Sequence, residues 1–213
     1  MDSTGNADGL GDTRRKELVK SAMQLGIRRE QDVLVLDDKH FPDSMSVTWN
    51  FTLISTTLIQ AFAPDIAKIK ADKPPKATID AIVTFDEHGV SSHPNHKSLY
   101  HGANAFLKAI MVKHAGWECP VKLYTLTTTN VVRKYISFVD TPLTVLGAAF
   151  SRKEAKEFPT PLVFVSGPGA VRRAQNAMTS AHKSQMVWFR WGYIGFSRYM
   201  VLNDLIKARG QAK

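Results

Sequence analysis

The spacing of apolar and polar residues along the chain predicts helices that alternate with strands. Apolar residues recur at helical spacing over three stretches, residues 13–25, 49–70 and 96–114. Residues 33–36 form a short, continuous apolar run, which is typical of a strand buried on both faces, and further strands are predicted at residues 79–85, 121–126 and 162–165. Because strands that alternate with helices form βαβ units, the pattern predicts an α/β protein with a mostly parallel sheet.

Individual residues mark where some of these helices begin and end. Asp12 or Thr13 can cap the first helix, and Gly26 can end it in the left-handed conformation. Pro64 is expected to break the second helix, because proline lacks the backbone N–H that a helix interior needs. Residues 170–208 are predicted to be helical with one or two breaks.

The pattern predicts a single domain over residues 1–213, a length that suits one large domain. Within it, residues 151–161 are interpreted as a linker or surface loop, and residues 170–208 as a basic, aromatic C-terminal part. Residues 3–9 are rich in Gly, Asn and Asp, as functional loops after strands are, yet no strand precedes them. Either this loop is a disordered terminus or the sheet lacks its first strand.

Basic residues are concentrated in the last third of the chain. The net charge is +9, but residues 1–149 carry 17 Lys+Arg against 16 Asp+Glu, whereas residues 150–213 carry 11 against 3. This asymmetry predicts an anionic partner for the C-terminal part, such as membrane phospholipid, a phosphorylated substrate or nucleic acid. The nearly neutral remainder argues against a dedicated nucleic-acid-binding protein. The single cysteine, Cys119, excludes an internal disulfide bond and a multi-cysteine metal cage.

Histidines cluster at the start of the third predicted helix. Four of the seven lie within 14 positions, at His88, His93, His96 and His101. The His-x-x-His spacing of His93 and His96 puts both imidazoles on one side of a first helical turn. One ring can ligate a metal while the other donates a hydrogen bond or a proton to a substrate oxygen. The alternative, two solvated loop histidines, is the commoner role of a bare His-x-x-His, and the chain offers no second short ligand motif.

Three further segments carry candidate chemistry. Asp86 follows the second predicted strand and can bind substrate hydroxyls, orient a histidine, or merely cap loop amides. The run Arg133–Tyr135 can grip a phosphate or form ordinary basic surface. The aromatic and basic segment 188–200 suits an interfacial helix at a membrane, a core helix packed on the sheet, or stacking on single-stranded nucleic acid.

Several of these motifs together resemble the PIG-L family over almost the whole chain. The matching segments are residues 3–11 with Arg14 and Glu17, Leu36-Asp37, Asp43, Trp49, residues 82–96 with Thr-Phe-Asp and His-Pro-Asn-His, Arg133–Tyr135, and residues 182–200. The tail is similar to the eukaryotic branch, which removes the acetyl group of N-acetylglucosaminyl-phosphatidylinositol (GlcNAc-PI) in GPI-anchor biosynthesis.

The resemblance implies a Rossmann-like α/β fold and a hydrolase with one divalent metal, usually zinc. His96 is expected to bind the metal, and His93 to stabilise the oxyanion or protonate the leaving amine. Asp43 and Arg14 are expected to contact the sugar or inositol, and Asp86 to support the histidines. The implied partners are the glycolipid substrate and a membrane surface, without nucleic acid, at the cytoplasmic face of the endoplasmic reticulum membrane.

One family motif, Ala-His-Pro-Asp-Asp-Glu at the end of the first strand, is not found in this sequence. In the family it supplies two further metal ligands and the general base. The sequence therefore predicts an N-terminally truncated member without the membrane anchor, with one metal ligand of three and impaired activity. The alternative is a non-catalytic remnant of the same fold that binds a membrane or a partner protein.

Overall fold

A computed structural model describes residues 10–36, 38–151 and 158–208 of the chain. Its helices and strands, in chain order, are α1 (Gly11–Leu25), α2 (Phe51–Phe62), β1 (Ala81–Phe85), α3 (Gly89–Ser92), α4 (Pro94–Met111), β2 (Lys122–Leu126), α5 (Val131–Tyr135), α6 (Asp140–Phe150), β3 (Leu162–Val165), α7 (Pro168–Thr179), α8 (Trp188–Phe196) and β4 (Leu202–Lys207). The predicted loop at residues 3–9, Asp37, and residues 152–157 of the predicted linker lie outside the described residues.

The strands form a four-stranded sheet in the order β1-β2-β4-β3, which confirms the α/β class expected of a Rossmann-like fold. β1 and β2 are parallel, with Ala81 opposite Lys122. β4 is antiparallel to β2, with Tyr124 opposite Lys207. The prediction of helix up to residue 208 is therefore wrong for residues 202–207. Leu202 and Leu205 are three positions apart, which fits a helix, but backbone bonding to the edge of β2 decides in favour of a strand.

Two further local predictions are wrong. Residues 33–36 are irregular rather than a strand, and Leu34 and Leu36 are exposed. An apolar run becomes a strand only where another strand is available for hydrogen bonding, and the sequence of the run does not show whether such a partner exists. α1 begins after Leu10, without a capping side chain from Asp12 or Thr13, although Gly26 ends the helix in the left-handed conformation as predicted (φ 104°).

Contacts divide the chain into two compact units. Unit 1 comprises Met1–Asp43, Thr129–Phe150 and Val163–Asn203, and unit 2 comprises Ser44–Thr128, Ser151–Leu162 and Asp204–Lys213. The single domain over residues 1–213 stays a prediction. In the part of the chain that the structure describes, no helix has both the length and the apolar character that crossing a membrane requires.

Unit 2 is built on the packing of α2 against α4. Asn50 caps α2 by accepting hydrogen bonds from the backbone N–H groups of Thr52 and Leu53. A Cβ atom at Gly102 of α4 would lie 2.3 Å from Cγ2 of Ile54, so the two helices approach as closely as glycine permits. Below α4 lies an apolar core formed by Ala63, Ala103, Phe106, Leu107, Ile110, Met111, Cys119, Val121 and Leu123.

Unit 1 contains a buried network of charged and polar groups, here called the Asp140 network. Asp140 accepts hydrogen bonds from Arg133 at Oδ1 over 2.6 Å and at Oδ2 over 3.0 Å. Nε of Arg198 lies 2.8 Å from Oδ2, and the side chains of Arg198 and Asp140 are both 0% exposed. The hydroxyl of Thr144 donates to Asp140 and accepts from both arginines. The network joins α5, α6 and the turn at residues 198–200.

Candidate functional site

The two histidines of the His-x-x-His motif lie at the start of α4, as the sequence predicts. His93 is the N-cap residue with extended backbone, and Pro94 occupies the first turn, where its missing N–H costs nothing. Nδ1 of His93 accepts a hydrogen bond from the backbone N–H of Asn95 over 3.2 Å. In the neutral ring the proton is therefore on Nε2, so His93 offers a hydrogen-bond donor at that nitrogen.

His96 has the opposite tautomer. Its Nδ1 lies 3.0 Å from the carbonyl oxygen of Gly89, and because a carbonyl oxygen can only accept, Nδ1 carries the proton. The lone pair of the neutral ring is then on Nε2, the nitrogen with which a histidine so oriented ligates a metal. Phe85, the last residue of β1, stacks on the imidazole at 3.8 Å between ring centroids and fixes its plane.

The two half-buried rings are stacked with their centroids 5.0 Å apart. One Nε2 carries a proton and the other carries a lone pair, so the pair presents a donor and a ligand within one turn of helix. This arrangement suits a substrate whose carbonyl oxygen needs a donor close to a metal ion. The structure thus brings together His93 and His96 in complementary states; their catalytic and metal-binding roles stay predictions.

Asp86 organises the loop that leads into α4. Its Oδ1 accepts from the backbone N–H of His88 (3.1 Å) and of Gly89 (2.9 Å), and from the hydroxyl of Thr128 (2.6 Å). Its Oδ2 accepts from the backbone N–H of Thr128 over 2.6 Å. Asp86 therefore caps loop amides, and through Gly89 it also sets the position of the carbonyl oxygen that holds His96. Of the three roles that the sequence left open, the structure shows the capping of loop amides, and the support of His96 stays a prediction.

The short segment α3 (Gly89–Ser92), which belongs to this loop, is not a regular helix, because three of its four residues adopt backbone angles that non-glycine residues rarely adopt. Gly89, Val90 and Ser92 all have positive φ, at 66°, 61° and 61°. Such backbone persists only where surrounding bonds impose it, and it is concentrated at functional sites. A Cβ at Gly89 would lie 3.0 Å from Cβ of His96, closer than an ordinary van der Waals contact, so a side chain here would force the loop or α4 to shift.

Arg14 and Asp43, the predicted substrate-binding residues, both belong to unit 1. Arg14 is half-buried in the second turn of α1, where its charge helps to lower the pKa of Glu17 against the opposing effect of burial. Asp43 is exposed in an irregular segment after Pro42. Their contact with substrate stays a prediction.

Arg133 has a partner that the sequence did not reveal. Its guanidinium is bound to Asp140 in the Asp140 network, which constrains the proposed phosphate-binding role of the run Arg133–Tyr135. Lys134 lies over the ring of Tyr135, with Nζ 5.8 Å from the ring centroid. The remaining histidines of the cluster, His88 and His101, are exposed.

Two residues of the site escape sequence reasoning. Thr128 donates to Asp86 and accepts from the backbone N–H of Val90 (2.8 Å), so it ties the end of β2 to the loop after β1. Its place just beyond a strand that is parallel to β1 is the pattern that could have indicated it, because parallel strands end at one edge of a sheet. Gly89 could have been found only from the need for positive φ, which the sequence does not state.

The described residues do not by themselves form a complete metal site. Catalytic zinc is usually bound by three protein ligands and one exchangeable position. In the ranges 10–36, 38–151 and 158–208, no three His, Cys, Asp or Glu side chains are placed to hold a metal ion together. Among these residues His96 is thus one suitable metal ligand without two others beside it, and the carboxylates of Asp8 and Asp37 lie outside the described residues.

Comparison with known proteins places the site in a family. A family model described as "PIG-L: GlcNAc-PI de-N-acetylase" matches residues 1–107, which include both histidines. The N-acetylglucosaminyl-phosphatidylinositol de-N-acetylase of Arthroderma benhamiae is 47% identical over 96% of this chain and 69% of its own length. A probable enzyme of the same name from Schizosaccharomyces pombe is 35% identical (97% and 72%), and that of Bos taurus is 34% identical (95% and 68%).

Proposed function

The chain belongs to the PIG-L family of GlcNAc-PI de-N-acetylases, and from this premise we propose that it hydrolyses the acetamide of GlcNAc-PI in GPI-anchor biosynthesis. In this reaction water adds a hydroxyl group to the acetyl carbon, the C–N bond breaks, and the amine takes up a proton. The products are glucosaminyl-phosphatidylinositol and acetate. The observation that carries the proposal is the pair of stacked imidazoles with opposite tautomers at the start of α4.

His93 is proposed to act on the acetamide oxygen. Its Nε2–H can donate to that oxygen as negative charge develops on it, and a protonated ring can pass a proton to the departing amine. The hydrogen bond from the backbone N–H of Asn95 to Nδ1 orients the neutral ring, and it is lost when Nδ1 takes up a proton. A positioned group of this kind typically contributes about 10²–10⁴-fold to the rate.

A divalent metal, with zinc as the first candidate, is proposed as the cofactor, and His96 as one of its ligands. A bound metal of this kind supplies Lewis acidity and a more acidic water. The described residues hold no complete ligand set, so we assign no reaction step to the metal. We also propose that acetate release is slow, because catalytic zinc usually has three protein ligands and, among the described residues, His96 has no two further ligands beside it.

The remaining assignments are proposals that the resemblance to the family supports. We propose that Arg14 and Asp43 contact the sugar or inositol of GlcNAc-PI, and that Asp86 acts through Gly89 as a positioning residue for His96. The substrate is a phospholipid, so the partner is proposed to be a membrane surface, at the cytoplasmic face of the endoplasmic reticulum, and not nucleic acid.

The proposal is tested by measuring acetate release from a water-soluble, short-chain GlcNAc-PI, with and without added zinc. We expect His93→Ala to lower kcat by about 10²-fold or more. His96→Ala should lower both the rate and the zinc bound per chain, measured by mass spectrometry of the metal. His101→Ala, an exposed histidine on the same helix, is the matched control and should leave both quantities unchanged.

The outcomes separate catalysis from simple binding. Equal rates for wild type, His93→Ala and His101→Ala would contradict the role of His93. Binding of the short-chain substrate without any acetate release, even with zinc, would favour the non-catalytic alternative. Full zinc binding by His96→Ala would overturn the assignment of His96 as a ligand.

A further inference from the structure

Helix α6 buries its polar face and exposes its apolar face. Its polar residues Asp140 and Thr144, one turn apart, are buried in the Asp140 network. Its apolar residues Leu143, Leu146 and Phe150 face outward, and Phe150 is 87% exposed. A surface helix of a soluble protein normally shows the reverse pattern. An outward apolar face indicates that α6 meets an apolar partner.

Other elements of unit 1 also expose large apolar side chains. The turn at residues 137–139 contacts α6 and exposes Phe138, and α5 contacts α8. On α8, Trp188 is 85% exposed and Trp191 is exposed too, whereas Ile194 is buried. We call the outward side chains of these elements the apolar surface: Phe138, Leu143, Leu146, Phe150, Trp188 and Trp191.

The apolar surface lies on two segments of unit 1, residues 129–150 and 163–203, and the charges of these segments indicate what it meets. Residues 129–150 and 163–203 contain one acidic residue, Asp140, which is buried between two arginines. Among the basic residues of these segments, Arg172 and Arg173 of α7 are exposed, and Lys134 lies against Tyr135. These segments therefore present cations and no exposed carboxylate, which complements an anionic layer.

We propose that the apolar surface inserts into the headgroup region of a bilayer that contains anionic phospholipid. Tryptophan and phenylalanine side chains with lysine and arginine around them are the composition of helices that lie in a membrane interface. The inference rests on the proposed function in one respect: a diacyl-glycolipid substrate resides in a bilayer, so its enzyme needs a surface that docks there.

Sedimentation of the full chain with phosphatidylcholine vesicles, with and without phosphatidylserine, tests the proposal. The wild type should bind the anionic vesicles, and the variant Leu146→Glu/Phe150→Glu should lower the bound fraction roughly tenfold or more, because it removes two insertable apolar groups. Val112→Glu is the matched control: Val112 is 78% exposed but belongs to unit 2, and its variant should bind as the wild type does.

Labelling gives a second measurement that does not depend on loss of binding. The single native cysteine, Cys119, is buried, so a fluorophore sensitive to polarity can be attached to Phe150→Cys alone. Its emission should shift to the blue when anionic vesicles are added, whereas the same label on Val112→Cys should not shift. An unshifted label on Phe150→Cys, or a charged double variant that binds as the wild type does, would overturn the proposal.

Two further results distinguish the surface from its rivals. If the wild type is a dimer that Leu146→Glu/Phe150→Glu separates, while neither form binds vesicles, the surface joins two copies of the chain and the proposal is wrong. Acetate release from the short-chain, soluble substrate should be the same in the double variant and the wild type. If the wild type binds vesicles and Leu146→Glu/Phe150→Glu does not, but no form releases acetate, the membrane-binding proposal is supported and the proposed function is refuted.

Discussion

Two aspartates organise the two units by different physical means. The donors that hold Asp86 in unit 2 are uncharged, two loop amides and both the N–H and the hydroxyl of Thr128. Asp140 in unit 1 is held by two guanidinium groups and one hydroxyl. Neutral donors fix the direction of a loop, whereas charged ones balance a charge that burial would otherwise expel. The first arrangement orders the loop before α4, and the second balances the charge of Arg198, whose side chain is fully buried.

The difference extends to ionisation. Burial by itself would raise the pKa of Asp140, but hydrogen bonds from Arg133 and Thr144 and the charge of Arg198 outweigh burial and lower that pKa below its ordinary value. Asp140 thus stays ionised and buried. Removing charge from this aspartate should therefore affect folding more than any change around Asp86.

The largest effect is expected from Asp140→Ala. The variant leaves Arg198, which is 0% exposed, without its carboxylate, and an uncompensated buried charge typically costs about 3–5 kcal/mol. The free energy of unfolding in urea is the measurement. Asp12→Ala is the control, because Asp12 also lies in the first turn of a helix but is exposed. A loss no greater than that of Asp12→Ala would show that the network contributes nothing to stability.

Gly89→Ala should rank second, at about 1–3 kcal/mol of lost stability, because positive φ and a close contact act together. Gly26→Ala separates the two causes: Gly26 has φ 104°, yet an added Cβ there meets nothing within 4 Å. We expect Gly26→Ala to lose less stability, and only Gly89→Ala to shift the NMR resonances of the His96 ring. Equal losses, with an unchanged ring, would mean that the approach to α4 is unimportant.

Asp86→Asn should lower the free energy of unfolding by about 1–2 kcal/mol. The NH₂ group of the new amide would point at the backbone N–H of Thr128, and two hydrogen-bond donors cannot bond to each other. Its effect on acetate release should fall on kcat rather than KM, since His96 is displaced and the substrate contacts are not. Asp80→Asn, an exposed aspartate just before β1, is the control. A change in KM alone would favour direct contact of Asp86 with substrate over a positioning role.

The smallest effect concerns pH. The pKa of Asp140 is lower in the folded state than in the unfolded state, so its ionised form stabilises the fold. This stability is present above about pH 4 and is lost as the pH falls towards the folded-state pKa. Between about pH 5 and 3 the urea midpoint of the wild type should therefore fall. In Asp140→Asn this fall should be shallower, although Glu17, whose pKa is also lowered through Ser184 and His182 despite burial, still contributes. If the wild type and Asp140→Asn lost stability in parallel as the pH falls, the Asp140 network would not lower the pKa of Asp140.

Local patterns predicted the parts of the fold that local interactions decide. The apolar stripe of α4 and the runs of β1 and β2 were found, and His93 and His96 were placed correctly at a helix start because proline favours that position. The C-terminal strand was missed because its identity depends on β2, distant along the chain. The network of Asp140 was missed for the same reason, since Arg198 and Asp140 meet only after folding.

The site followed the same division. The sequence identified the residue types around the histidines, but not which ring nitrogen carries the proton, because that depends on Gly89 and on the backbone of Asn95. For the aromatic segment 188–200 it left an interfacial helix, a core helix and stacking on nucleic acid open, and it made no prediction for α6. The outward apolar face of α6 became visible only when its polar residues were seen to be buried.

The position of β4 in the chain has a consequence for biosynthesis. β2 is flanked by β1, made before it, and by β4, made long after it, with Tyr124 opposite Lys207. On the ribosome, a nascent chain therefore displays one bare flank of β2 while α5 to α8 are still being translated. Unsatisfied strand flanks recruit other chains, so production of this protein should be sensitive to the pace of translation and to the supply of chaperones.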